Sequence, residues 1–361
     1  MLTEIKVQDI QRVSAATLRD FLTDILRACG LPETDAATVA GGMLEADLAG
    51  SDAHGVFRLA GYVRQLKRGV FNPRAAITVL ERGPATALID GDQGMGHVVM
   101  TYAAELAIEL ARASGVGWVG ARRSNHAGAG AIYAAIPLEH GMVGIYGAAS
   151  SVHHMAPWGG TEPLLGTNPI AVAIPAGDEA PVILDIATSI ASNGAIRTHQ
   201  LEGRPMPEGW VQSRKDGSPI TDPSRINEGT YLPMGGYKGS GLSLVIGLLA
   251  GPLNRAAFGR DVKDFAAPPG GELNVGQFVV ALDVARFIPL DVFTTEVDRH
   301  IRDLASSRRL PGVDEIRVPG QGRVARRKER EANGVPLSAT LVAQVDEVAK
   351  SLGVTPLSVR P

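Results

Sequence analysis

Cysteine is nearly absent. Cys29 is the single one in 361 residues, so no intrachain disulfide can form, and the chain suits a reducing, cytoplasmic setting. Charge of either sign is not in excess: 35 Lys and Arg stand against 38 Asp and Glu, which leaves no electrostatic footprint for nucleic acid. No apolar run reaches the length of a bilayer-spanning helix; "SLVIGLLAG" at 243–251 suits a buried helix instead. The opening "MLTEIKVQDIQRV" carries early acidic residues and no apolar segment, unlike an export signal. There is no HExxH and no cysteine cluster, and the adjacent His153 and His154 would point to opposite faces of a strand, so no metal site is expected. Also missing is the glycine fingerprint of the common dinucleotide fold. "DGDQGMGHV" lacks the strand-to-helix context, and Gly235 to Ser240, "GGYKGS", has the wrong spacing for a Walker loop.

What is present is a chain with 45% hydrophobic residues and 43 glycines, enough for a large core with many tight turns or close backbone approaches. Val7, Ile10 and Val13 lead into Leu18, Phe21, Leu22, Ile25 and Leu26 at helical spacing, with Ser14 or Thr17 as the cap. Pro32-Glu33-Thr34 starts a second helix through Ala49. Val56, Leu59, Tyr62, Val63 and Leu66 form the apolar face of a third, in which His54 and Arg58 stand one turn apart. Two strands joined at Gly83-Pro84 precede a helix over 97–113, a short strand at 115–119 and a helix over 129–140 closed by Gly141. From Val143 the texture turns to short apolar runs, "VGIYGAA", "NPIAVAIPA" and "PVILDIATS", which read as strands. Residues 198–230 are polar and turn-rich, 235–249 return to helix, 277–287 read as a strand, and helices follow at 291–307, 325–333 and 338–351. Helices at both ends around a strand-rich block predict an α/β protein of two interleaved lobes, 1–120 with 300–361 and 121–299. The basic run Arg323 to Arg330 reads as a solvated helix face.

Several polar groups sit where chemistry is done. Arg58 one turn after His54 can hold a carboxylate while the imidazole handles a proton; the competing reading pairs His54 with Asp52 at a helix start. His126 lies in "SNHAGAG" after a strand, either as a site group or as a first-turn residue behind a Ser124 or Asn125 cap. Asp185 ends a strand and suits an imidazole, a ribose hydroxyl or an Asx turn. Lys238, among glycines at a helix start, offers a point charge beside bare N–H groups, a setting for phosphate or carboxylate.

In order along the chain, "HGVFRLAGYV", "SNHAG", "MAPWGGTEPLLGTNPIAVAIPA", "ILDIATS", "PEGW", "TDP" and "LPMGGYKGSGL" resemble the type 2 malate/L-lactate dehydrogenase family. That family includes ureidoglycolate dehydrogenase, 2,3-diketo-L-gulonate reductase, sulfolactate dehydrogenase and cyclic imino acid reductases. The resemblance implies a non-Rossmann, mixed-sheet cofactor-binding region over 121–299 and an interleaved helical lobe for substrate and dimerisation. It also implies NAD or NADP as cofactor, with NAD ahead, a small carboxylate substrate, and a homodimer or assembly of dimers. His54, His126 and Asp185 would be catalytic, and Arg58, Ser150 and Lys238 would contact substrate. His126, Gly166, Thr167, Asn168, Asp185, Ala187, Thr188 and Lys238 would border the cofactor. Reduction of a 2-oxo acid competes here with reduction of a cyclic imino acid and with a divergent, non-redox use of the pocket. For 2-hydroxy acid oxidation, a neutral histidine as base predicts an apparent pKa near or somewhat above 6.5. Three positions depart from the family's pattern: Ala53 for serine, Ala127 for phenylalanine and Ala195 for lysine. Ala127 predicts an enlarged substrate pocket.

Overall fold

The computed structural model describes residues 10–150, 152–263 and 272–360. The N-terminal apolar stretch is divided. Ile10–Val13 is a strand (β1), Val7 lies outside the described residues, and the helix α1 (Ala15–Ala28) begins only at Ser14, whose hydroxyl accepts the N–H of Thr17. Tertiary pairing explains the difference, because β1 runs antiparallel to β11 (Val335–Ser338) and so ties the two ends of the chain together. Leu18, Phe21, Leu22, Ile25 and Leu26 are all fully buried, as their spacing predicts. Their stripe packs with α2 (Glu33–Leu48), α3 (Leu59–Lys67) and α10 (Ala339–Lys350) into one apolar core.

The second layer is a seven-stranded sheet in the order β2-β3-β4-β10-β5-β6-β7. Its members are β2 (Thr78–Arg82), β3 (Thr86–Asp90), β4 (Val116–Ser124), β5 (Met142–Ala148), β6 (Ile170–Ile174), β7 (Val182–Ile186) and β10 (Val275–Asp283). Only β3 and β4 are parallel, because α4 (Gly96–Ser114) carries the chain between them; every other pair is antiparallel. One face buries Val119, Ala121, Tyr146 and Ala171 against α4 and α5 (Ala131–Ala135). On the other face Trp118 and Phe278 stack at 4.7 Å beside the end of α7 (Tyr237–Ala250). The boundary expected at residue 120 therefore falls inside β4, and the one at 300 inside α8 (Leu290–Ala305). Alternation in 78–90 marked strands; only pairing with β4 reveals that they join the sheet.

The polar segment 198–230 is more ordered than its composition suggests. It begins in the last turn of α6 (Asn193–Leu201), capped by Ser192, and holds the hairpin β8 (Val211–Ser213) and β9 (Gly229–Tyr231) over a small core of Met155, Ile196, Met206 and Ile220. The basic run becomes α9 (Gln321–Asn333). Its outer residues are exposed, but its inner side departs from the solvated reading: Arg330 donates to the Asp52 carboxylate and the Asp47 carbonyl, and Arg323 donates to Ser51 Oγ at 3.3 Å. Among the described residues no helix is long and apolar enough to cross a membrane, and no group of three metal-ligating side chains occurs.

Candidate active site

His54 and Arg58 do not share a regular helix. Two 3₁₀ turns, Asp52–His54 and Val56–Arg58, meet at Gly55, and Asp47 at the end of α2 dictates that junction. The Asp47 carboxylate, 1% exposed, accepts the Val56 N–H at 2.8 Å, and a Cβ on Gly55 would stand 1.8 Å from its oxygen. Only glycine fits there. Asp52, the expected partner of His54, is engaged by Arg330. Arg58 is fixed by its own loop, its Nε donating to the Ala53 carbonyl at 2.7 Å, which leaves its terminal amino groups available. Burial pushes the Asp47 carboxyl up to about 8, the nearby Asp52 adds to this, and the Val56 N–H works against it. An amide can accept the same Val56 hydrogen bond. Asp47→Asn is therefore expected to stay close to wild type in thermal unfolding, whereas Asp47→Ala should lose about 2 kcal/mol through an unsatisfied buried donor and a cavity. Equal stability of the two variants in denaturant titration would remove Asp47 as the support of this turn.

The loop places His54 flat against His126, ring centroids 5.8 Å apart with 5° between planes. Tyr62 of α3 closes the group, its hydroxyl 2.6 Å from His126 Nδ1. The phenol serves either tautomer, donating to a bare Nδ1 or accepting from Nδ1–H, while the Gly128 N–H approaches the same nitrogen at 3.3 Å. His97 meets the Tyr62 ring edge-on at 5.7 Å. Burial holds the His126 pKa well below the ordinary histidine value, reinforced by the Arg58 cation and then by His54 and His97. Burial, with Arg58 second, lowers His54 to about 4. His97, fully enclosed, is lowered to about 3 by burial.

A second group of expected residues assembles around the start of α7. The Ser150 N–H donates to Asn168 Oδ1 at 2.9 Å, and Asn168 Nδ2 donates to Ser243 of α7 at 2.8 Å. The Thr188 N–H and hydroxyl both reach the Thr167 carbonyl, Ser243 Oγ donates to the Gly166 carbonyl, and the Met234 N–H donates to the Thr188 carbonyl. Ala187 joins this shelf to Asp185 at the end of β7. Asn168 and Thr188 thus spend their polar atoms inside the protein, and their effect on a ligand runs through the backbone they hold. Gly235 and Gly236, at φ +57° and +65°, turn the chain into α7, which has no side-chain cap and carries an exposed Lys238 in its first turn. The Lys238 and Gly239 N–H groups already donate to the Gly235 and Met234 carbonyls, so the group that this helix start offers to an anion such as a pyrophosphate or carboxylate is the exposed Lys238 ammonium, together with the positive end of the macrodipole.

Two expectations do not hold geometrically. The Asp185 carboxylate accepts the Ala131 N–H at 2.9 Å, and among the described residues no hydrogen bond joins it to either histidine. Burial raises its pKa against the pull of that N–H and of Arg323. Ala127 opens no pocket: it is 3% exposed, packs into the sheet-and-α4 core, and its carbonyl accepts the Tyr133 hydroxyl. Pattern reading also passed over Tyr62, which it placed on an apolar helix face. The available signal was its hydroxyl, since a buried tyrosine needs a polar partner.

Comparison with known proteins gives one coherent result. Residues 13–346 match the family model described as malate/L-lactate dehydrogenase. Malate dehydrogenase of Pyrococcus horikoshii is 37% identical over 350 residues, 95% of this chain and 96% of that one. Its solved structure superposes with a TM-score of 0.89 at 35% identity, covering 97% of both chains. L-sulfolactate dehydrogenase of Methanothermobacter thermautotrophicus is 36% identical over 343 residues, 95% of this chain and 98% of the relative. Ureidoglycolate dehydrogenase (NAD(+)) of Escherichia coli is 29% identical over 326 residues, 90% and 92% of the two chains.

Proposed function

Because the chain belongs to the malate/L-lactate dehydrogenase family, and is thus an NAD(P)-dependent oxidoreductase of small 2-oxo and 2-hydroxy acids, we propose that His126 transfers the substrate proton while Arg58 clamps the substrate carboxylate. The observation that carries this reading is the half-buried His126 ring, tethered at Nδ1 by Tyr62, backed by His54 and lying in the field of Arg58. The nicotinamide cofactor, when bound, supplies or accepts the hydride at C2. In the oxidation direction the neutral His126 imidazole takes the hydroxyl proton, while the Tyr62 hydroxyl holds the ring at Nδ1. In reduction the imidazolium returns that proton to the oxygen. His54 fixes the plane of the neighbouring ring, and Arg58 orients the acid through the amino groups that Ala53 leaves unused.

Lys238, at the start of α7, would hold an anionic part of the cofactor or substrate, above the shelf of Gly166, Thr167, Asn168, Ala187 and Thr188. Ser150, whose N–H is fixed by Asn168, would border the substrate. NAD is favoured over NADP by the E. coli relative whose name carries NAD(+). A homodimer is supported by the exposed row of Leu242, Leu244, Val245 and Leu248 on α7, which a second subunit would cover. The single cysteine supports a cytoplasmic setting.

A screen of NADH oxidation with glyoxylate, pyruvate, oxaloacetate and larger 2-oxo acids, with a cyclic imino acid alongside, tests the reading. Turnover of the imino acid alone would replace it. The pH dependence follows from the same geometry. Protonation removes the base, and burial with Arg58 postpones that protonation to lower pH, so the neutral ring persists below the ordinary histidine range. The acid limb of kcat/KM for oxidation is thus expected to have its midpoint below pH 6.5, lower than composition alone suggests. A midpoint at or above 6.5 would take the role away from His126.

A further inference from the structure

A cleft of about 550 Å³ is bordered by Ala53, Phe57, Arg58, Gly194, Arg197 and Tyr231, of which Ala53 and Arg58 belong to the loop that carries His54. It forms because the first turn of α6 comes down on the Asp52–Arg58 loop: a Cβ on Gly194 would be 3.5 Å from Ala53 Cβ. Phe57 carries two cations, with the Arg58 guanidinium 5.9 Å from its ring centroid and that of Arg197 at 5.6 Å. Among the described residues neither arginine has a carboxylate at ion-pairing distance, whereas Asp52, on the same cleft, is already taken by Arg330. Asp47, the cleft's other acid, is buried with its side chain turned to the Val56 N–H, and among the described residues it forms no ion pair with either arginine. Two uncompensated cations on one wall repel unless anionic charge lies between them, and a single carboxylate answers only one of them.

We propose that Arg197 is a second anion clamp, so that the preferred substrate is a 2-oxo acid bearing a further negative group, either carboxylate or sulfonate, with one end on Arg58 and the other on Arg197. This rests on the reading of the site given above and adds to it a specificity residue. Arg197, on the exposed side of α6, supports no core packing, so its replacement tests charge and not folding.

The test is steady-state kinetics of wild type, Arg197→Ala and Arg197→Lys, with oxaloacetate and sulfopyruvate as dianions and pyruvate as the monoanion. Arg197→Ala is expected to raise KM for both dianions by about tenfold to a hundredfold with little change in kcat, the loss typical of a charge-assisted contact. KM for pyruvate should move less than twofold, and lysine should restore part of the dianion affinity. An unchanged KM for both dianions overturns the proposal, as does an equal rise with pyruvate, which would point to disturbed packing on Phe57. Loss confined to one dianion narrows the clamp to that acid group and upholds it. A wild-type enzyme inactive on every 2-oxo acid would overturn the underlying reading of the site. Active wild type with an indifferent Arg197→Ala overturns the second clamp alone.

Discussion

His126→Asn is expected to cut kcat about 10²- to 10⁴-fold in both directions, the span that a positioned proton donor or acceptor contributes. Substrate and cofactor affinity should change far less, because in the proposed reading the carboxylate rests on Arg58, and Lys238 lies apart at the start of α7. The reason for a large effect is geometric. The ring is half-buried and one of its nitrogens is met by the Tyr62 hydroxyl, and this tether fixes its orientation for proton transfer. Stopped-flow measurement of NADH oxidation, with cofactor affinity followed separately by fluorescence, separates chemistry from binding. A loss under tenfold would move the proton step to another group, with His54 first in line.

Arg58→Leu carries the second large effect, an expected fall of about 10²- to 10³-fold in kcat/KM for 2-oxo acids, dominated by KM. Two losses combine: the carboxylate forfeits its charge-assisted partner, and the Ala53 carbonyl forfeits the donor that shapes the loop. Lysine is a poor substitute, having neither the planar fork for a carboxylate nor an Nε–H for Ala53. Removing the cation also lifts one of the influences that depress His126, so the acid limb of the residual oxidation should move to higher pH. Kinetics across pH 5 to 8 on both variants would show this; near-unchanged turnover by Arg58→Leu would end the clamp assignment.

The elements most legible in the sequence were those built from local periodicity. The stripe from Leu18 to Leu26 and its Ser14 cap needed only i, i+3 and i, i+4 spacing, and the strand texture after Val143 needed only alternation and turns. Arg58 and His54 were rightly expected as neighbours, but their relation comes from two short turns pinned by Asp47, seven residues before His54 and outside any motif. Ile10–Val13 read as helix because its apolar spacing is short and ambiguous; a partner 325 residues or so away in sequence, Val335–Ser338, made it a strand. Asp185 and Ala127 were placed by motif position, which identifies a loop without saying which way a side chain turns. One turned to the Ala131 N–H and the other into the core.

The sequence by itself determined the family, through an ordered set of motifs, and with it the class of chemistry. It also determined the helices whose faces repeat and the glycine turn at Gly235-Gly236, because each of these depends on a few adjacent residues. The tertiary structure alone decided that Tyr62 meets His126, that Asp47 braces the His54 loop, and that Arg197 comes to share Phe57 with Arg58. It also set the histidines below their ordinary pKa, since that shift is created by burial and by the approach of charges from other elements.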